Sequence, residues 1–352
     1  MKDLLLSQPA ITFYTIAIIV NVLLLSVAIL TWIERRLSGV IQFRWGPNRV
    51  GPLGLFQPIA DGVKFIMKED VIPRDAVRSI FVLAPALSMI TALVGFSVIP
   101  FGPVVELFGV TVPLVIVNVD SGILLALAAA SLGVYGIVCA GWASNSKYSL
   151  IGGLRASAQM ISYELALALS VIGVLLVAGT LRPVEIVEQQ AGWFWNWNVF
   201  GGWQMLGFVI FLIAGYAETN RLPFDMPEAE SELVAGYHTE YSAMKFSVFF
   251  MAEYVNMITS AALAVTLFLG GYHTGLPLAD WGLSGWALWG LQILAFVAKL
   301  GFFLVLFVWV RWTLPRFRYD QLMALGWKRL FPLALANLML AAVLVAFGVV
   351  GG

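Results

Sequence analysis

The chain has 352 residues, of which 61% are apolar and only 11% are charged. A soluble domain carries roughly 45–50% apolar and about 25% charged residues, so this composition excludes a soluble globular protein. The 20 basic and 20 acidic residues give no net charge, but they are distributed unevenly along the chain.

Eight segments are apolar enough to be predicted as membrane-spanning helices, because crossing the hydrocarbon core takes about 20 mostly apolar residues. The N-terminal sequence lacks a basic region followed by a small-residue cleavage site, so the first apolar segment is predicted to be a retained span rather than a signal peptide. The fifth segment is the shortest. The predicted spans, within one polytopic domain of residues 1–352, are 11–33, 78–99, 121–142, 157–179, 203–217, 244–270, 286–310 and 331–350.

The basic residues predict the orientation of these spans, because loops rich in Lys and Arg stay in the cytoplasm. Seventeen of the 20 lie in segments 34–78, 143–156, 218–245 and 311–330. Only Lys2 and Arg182 fall on the opposite side. Both termini are therefore predicted to face outward, in an all-α integral membrane protein.

The first predicted cytoplasmic loop, residues 34–76, is long and contains an amphipathic pattern. In LFQPIADGVKFIMKE, Ile59, Val63 and Ile66 share one helical face, whereas Asp61 and Lys64 lie on another. Such a helix is typical of one that lies in the membrane plane. Two interpretations stay open: a passive interfacial helix, or one wall of an opening between lipid and the protein interior.

The third predicted cytoplasmic loop, ETNRLPFDMPEAESELVAGYHTE, is unusually acidic and contains a single arginine, Arg221. A solvated run of charge is the ordinary explanation, but two X-Pro steps favour a defined structure. Clustered carboxylates disfavour one another's ionisation and can exchange protons near neutral pH. The loop can also receive a basic partner. Its acidic residues are Glu218, Asp225, Glu228, Glu230, Glu232 and Glu240.

Three ionisable residues lie inside predicted spans: Glu164, Glu253 and Lys299. Charges within a bilayer are costly and normally face an interior cavity or a partner, so they are functional candidates. A structural salt bridge is the alternative. Glu34, at the inner end of the first span, is a weaker candidate because it can pair with Arg35 or Arg36 at the interface.

No residue pattern predicts a bound metal or nucleotide. The single cysteine, Cys139, lies in an apolar run and cannot form an internal disulfide or a thiolate cluster. His238 and His273 are predicted on opposite sides of the membrane, which excludes joint ligation of one haem. Neither a dinucleotide-binding nor a P-loop motif is present. The chain is therefore expected to hold no redox cofactor.

Four blocks carry a resemblance to a known family. WIERRLSGVIQFRWGPNRVGPLGLFQPIADGVKFIMKED resembles the first cytoplasmic loop of the H-subunit family of respiratory complex I, the proton-pumping NADH:quinone oxidoreductase. GWASNSKYSLIGGLRASAQMISYE, AETNRLPFDMPEAESELVAGYHTEYSAMKFSVFFMAEY and WVRWTLPRFRYDQLMALGWK resemble the next three loops, in the same order. The likeness extends along the whole chain.

The resemblance implies a membrane subunit that forms the access tunnel for a quinone, expected to be ubiquinone, and begins a proton-coupling path. FMN and iron–sulfur clusters belong to partner subunits of the hydrophilic arm, and antiporter-like subunits lie to the side. A bacterial inner membrane is the expected location. The implied tunnel residues are Glu34, Arg35, Arg36, Asp61, Lys64 and Arg311; the implied path residues are Glu164, Glu218, Asp225, Glu228, Glu230, Glu232, Glu240 and Glu253.

Two other functions are considered. The membrane subunit of an energy-converting hydrogenase shares the fold and needs no quinone. An ion-coupled secondary transporter would use the intramembrane charges to drive solute transport, but transporters often show repeated halves, and no such repeat is visible here.

Overall fold

The computed structural model describes residues 8–107, 110–227, 230–278, 281–282 and 284–350. Among these residues, the regular secondary structure is almost entirely helical, as expected for a bilayer protein, because a helix satisfies its own backbone hydrogen bonds. In chain order the helices are α1 (Gln8–Ile41), α2 (Gln57–Met67), α3 (Arg78–Ser97), α4 (Gly122–Ala143), α5 (Lys147–Ala178), α6 (Pro183–Gln189), α7 (Met205–Glu218), α8 (Glu230–Leu233), α9 (Ala243–Phe268), α10 (Trp286–Thr313), α11 (Tyr319–Leu325) and α12 (Phe331–Ala346).

Within the described residues, seven helical stretches are long and apolar enough to cross a membrane. The seventh, Tyr319–Ala346, joins α11 to α12 through a π-helical turn at Gly326–Leu330. The fifth predicted span corresponds to α7, which has only 14 residues. The predicted all-α membrane fold is therefore confirmed, while the count of eight spans and the outward termini stay predictions.

Two helices extend far beyond the predicted spans. Helix α1 continues past residue 33 to Ile41, and α5 begins at Lys147 rather than at 157. Charged residues such as Arg35 and Lys147 are good helix formers, so a helix continues where its apolar run ends. As a consequence, Glu34 lies inside a helix rather than at its end.

Short non-membrane elements complete the fold. Strands β1 (Val105–Leu107) and β2 (Val110–Val112) form an antiparallel pair in the register Val105↔Val112. The 3₁₀ turns cover Pro52–Gly54, Phe194–Asn196 and Gly236–His238. The hairpin was not predicted from the sequence.

The core surrounds α5 and α9. Helix α5 packs against α4, α7 and α12, and α9 packs against α3 and α10. Small residues bring α4 and α5 close together: a Cβ atom added to Gly141 would lie 2.5 Å from the Ser149 carbonyl oxygen. This close packing places α5, α7 and α9 around the polar interior described next.

Candidate functional site

A buried cluster of opposite charges lies where α1, α9 and the loop after α7 meet. The Arg221 guanidinium lies 2.8 Å from Glu34 Oε2 and 2.6 Å from Glu253 Oε1. Arg221 and Glu34 are each only 5% exposed. Burial alone would lower the pKa of Arg221, but Glu253 and Glu34 outweigh this effect and hold the pKa well above its ordinary value. The three residues therefore form one buried ion-pair network.

The polypeptide holds Arg221 in place through the loop that follows α7. The buried amide of Gln159, on α5, donates at 2.7 Å to the carbonyl oxygens of Ala217 and Phe224. Asn220 adopts a left-handed backbone conformation, with φ of 53°, which asparagine tolerates better than most residues. These features turn the chain sharply and direct Arg221 toward α1 and α9.

Glu34 also borders a cavity near the C-terminal end of α1. Its Oε1 accepts a hydrogen bond from Arg311, and its Oε2 accepts one from the Tyr254 hydroxyl at 2.7 Å. Glu34 is therefore not merely an interfacial partner of Arg35 or Arg36, which was one alternative from the sequence. The cavity is lined by Glu34, Arg35, Ser38, Arg44, Tyr254, Arg311 and Trp312.

Helix α2 lies next to this cavity and confirms the predicted amphipathic helix. Asp61 pairs with Arg35 and lies 3.7 Å from the Lys64 ammonium. On the opposite face, Ile59 and Ile66 are 63% and 69% exposed. The polar face of α2 therefore contacts the protein, and no other described part of the chain covers its apolar face.

Arg36 points away from the cavity that contains Arg35. It donates at 3.1 Å to the carbonyl oxygen of Leu53, and its guanidinium lies 5.6 Å from the centre of the Trp32 ring. Of the predicted tunnel residues, the structure therefore brings Glu34, Arg35 and Arg311 together directly. Asp61 and Lys64 join them through Arg35, while Arg36 lies on a neighbouring surface.

Glu218 lies at the junction of two internal cavities. One cavity extends from Glu218 past Asn256 to Thr259 and Ser260, and the other extends past Asn256 to Glu253 and Ser88. Among the residues that the structure describes, no side chain forms a hydrogen bond or ion pair with Glu218. Among the described residues, Glu218 is therefore a carboxylate without a counter-ion, and it shares a cavity with Glu253 of the buried network.

Two other predicted path residues are Glu164, on α5, and Glu240, in the acidic loop. Glu164 on α5 accepts a hydrogen bond from Ser131 on α4. Glu240 follows the 3₁₀ turn Gly236–His238, is partly buried, and has no ion-pair partner within the described part of the chain. Glu253 forms a salt bridge with Arg221, which was the structural alternative from the sequence. Glu164 does not, because its partner among the described residues is the Ser131 hydroxyl.

The acidic loop is held by arginines from elsewhere in the chain. Asp225 lies 2.6 Å from Arg316, and Glu232 lies 2.5 Å from Arg155. Arg221 is the one arginine in the loop's own sequence. The fold adds Arg155 from α5 and Arg316 from the segment after α10. Glu228 and the side chain of Glu230 lie outside the described residues.

Sequence reasoning missed the central role of Arg221. Its isolation in an acidic loop was a visible signal, but its pairing with Glu34 joins residues that are 187 positions apart. Tyr254, which donates to Glu34, carried no signal beyond its place next to Glu253. Among the described residues, no group of His, Cys, Asp or Glu side chains is arranged to hold a metal ion.

These features define a multi-pass α-helical membrane protein with a connected set of carboxylates and arginines in its interior. The NADH dehydrogenase family profile matches residues 14–342. An H-subunit of the NADH-quinone oxidoreductase of Koribacter versatilis is 52% identical, over 94% of this chain and 96% of its own length. Subunit 8 of the Rhodothermus marinus enzyme is 52% identical over 94% and 95%, and the H-subunit of the Deinococcus radiodurans enzyme is 52% identical over 97% and 85%.

The chain therefore belongs to the H-subunit family of NADH-quinone oxidoreductase, and the resemblance drawn from the four sequence blocks is confirmed. It is a membrane subunit of a multi-subunit enzyme, respiratory complex I, and other subunits of that complex are its partners.

Proposed function

We propose that this chain forms the access route for a quinone and carries the first part of the carboxylate path that couples quinone reduction to proton transport. The access route comprises Glu34, Arg35, Asp61, Lys64 and Arg311, with Arg36 at its margin. The coupling path comprises Glu253, Glu218 and Glu164, with Asp225, Glu228, Glu230, Glu232 and Glu240 in and after the acidic loop. The protein works as one polytopic domain in a bacterial inner membrane, with both termini outward.

Quinone entry is supported by the contrast between the two faces of α2. Its uncovered apolar face, including Ile59 and Ile66, suits contact with lipid or an isoprenoid tail. Its polar face leads through Asp61 and Arg35 to the cavity at Glu34. An apolar tail can therefore pass along one surface while a polar headgroup meets the arginines, and ubiquinone is the expected substrate.

The proposal rests on one observation: Glu34 belongs to both the access route and the coupling path. It borders the entrance cavity together with Arg311, and it shares Arg221 with Glu253. Glu253 in turn lines the cavity that reaches Glu218. A change of charge on the quinone side is therefore transmitted through two arginines and two carboxylates to the membrane interior.

Proton chemistry is the reason this connection matters. Reducing a quinone to a quinol consumes two protons along with two electrons, which arrive from partner subunits holding FMN and iron–sulfur clusters. Carboxylates that share a poorly solvated site respond to a nearby charge by changing their proton affinity. Glu218, which has no counter-ion among the described residues, is the group best placed to take up or release a proton.

The test is Glu218→Gln in the whole complex, reconstituted into vesicles. We expect assembly to be normal, because Glu218 forms no ion pair with any residue that the structure describes. We expect both NADH:quinone turnover and proton transport to fall by about 100-fold or more, since a positioned proton-transfer group contributes roughly 10²- to 10⁴-fold. Glu188→Gln, at an exposed position, is the matched control. Normal turnover with normal pumping in the Glu218 variant would contradict the proposal.

A further inference from the structure

The outer end of α9 is closed by a lysine that lies halfway along α10. The Lys299 amine donates to the carbonyl oxygens of Leu269 at 2.6 Å, Gly271 at 3.1 Å and His273 at 2.6 Å. Three acceptors use all three donors of an ammonium group. With α10 running from Trp286 to Thr313, Lys299 lies about 20 Å from either end. The cation is therefore fixed at membrane depth.

Two buried amides complete this closure. Gln190 donates to the Thr266 carbonyl at 3.1 Å, and Asn198 donates to the Leu267 carbonyl at 2.7 Å. These are among the last carbonyls of α9, which have no partner within the helix. Irregular backbone at membrane depth is stable only when its polar groups are satisfied by the protein. The two amides satisfy the end of α9, and Lys299 satisfies the segment after Phe268, where the Gly270 N–H also donates to Gln190 Oε1 at 3.0 Å.

A layer of phenylalanine rings lies between this closure and the polar interior. Phe268 is fully buried and lies 5.4 Å from Phe208 and 5.5 Å from Phe211, measured between ring centres. Phe303, on α10, lies 6.0 Å from Phe208. Phe211 also lines the outer of the two cavities at Glu218. One ring of this layer therefore forms part of the cavity wall.

We propose that Lys299 and this phenylalanine layer seal the outer side of the chain against proton leakage. The inference rests on the proposed carboxylate path, because a path that carries protons into the membrane interior needs a barrier on its far side. Rings exclude water from the layer, and the ammonium group, held in place by three carbonyl oxygens, opposes the approach of a proton from outside. Charged groups that line a pore exclude like-charged ions in the same way.

Lys299 suits this task because its partners are carbonyl groups. A carboxylate partner would offer a proton-binding site, whereas carbonyl oxygens bind no proton near neutral pH. The Trp197 ring, 4.2 Å from the Lys299 amine, adds a cation–π contact without adding a titratable group. The positive charge therefore stays uncompensated by any acid among these partners.

The test measures passive proton flux into vesicles that contain the whole complex, without NADH, after a potassium gradient and valinomycin impose a membrane potential. Lys299→Gln keeps hydrogen-bond donors and removes the charge. We expect passive proton flux to rise roughly tenfold, since a unit charge a few ångströms away outweighs thermal energy in a protein interior. Lys299→Arg should keep the flux low, and Val297→Ala, at an exposed position on the same helix, is the control.

A second variant, Phe303→Ala, tests the layer without touching the lysine and should also raise the flux. Wild-type flux in both assembled variants would overturn the proposal. Adding Glu218→Gln to Lys299→Gln separates the two proposals. A leak that the second substitution suppresses supports both the seal and the carboxylate path. A leak that persists supports the seal and contradicts the path through Glu218.

Discussion

Arg221 and Lys299 are both cations held inside the protein, but they are neutralised by different kinds of group. Arg221 lies between the carboxylates of Glu34 and Glu253, whereas Lys299 is held by three backbone carbonyl groups. Carboxylates bind protons near neutral pH and carbonyl groups do not. The partners of Arg221 can therefore change their charge, whereas the partners of Lys299 cannot.

The largest effect is expected for a substitution that disrupts the ion-pair network of Arg221. Arg221→Met leaves Glu34 and Glu253 buried without their shared cation, and breaking a buried ion pair in this way costs about 3–5 kcal/mol. We expect little assembled complex, measured as the NADH-oxidising band on a native gel of mild-detergent membranes, and a lower Tm for what remains. Arg329→Met removes an exposed arginine and should leave both unchanged.

A smaller effect is expected where charges pair at the surface. At the entrance, Lys64 is exposed and its interaction with Asp61 contributes only about 0–1 kcal/mol. Lys64→Trp should therefore leave the Tm nearly unchanged but raise the apparent KM for a short-chain quinone severalfold, because the bulky ring narrows the access route. Lys68→Trp, just beyond the end of α2, is the matched control. An unchanged apparent KM across a series of quinones would contradict a role of α2 in quinone access.

The membrane fold was predictable from the sequence because apolar runs of about 20 residues have few alternatives in a protein of this composition. The amphipathic helix α2 was predictable for a similar reason, since its two faces differ at helical spacing. The ends of α1 and α5 were not, because charged residues continue a helix as well as apolar ones. The hairpin of β1 and β2 is too short to leave a clear pattern.

The sequence was sufficient to predict which residues belong to the candidate site, but not which of them pair with one another. Buried acids such as Glu253 stand out because charge is rare in apolar spans. The pairing of Arg221 with Glu34 depends on how α1, α9 and the loop after α7 meet, which no local pattern encodes. Lys299 was identified as a functional candidate because it too is a charge within an apolar span. Its carbonyl partners could not be predicted, because they depend on how α9 and α10 pack.

The central claim is that Glu34 and Arg221 connect the quinone side of the chain to Glu218. The most direct measurement is the infrared difference spectrum of the intact complex upon quinone reduction, normalised to the quinol formed. We predict a carboxyl band that is lost in Glu218→Gln, strongly reduced in Glu34→Gln and retained in Glu188→Gln. A Glu218 band of full amplitude in Glu34→Gln would contradict the claim.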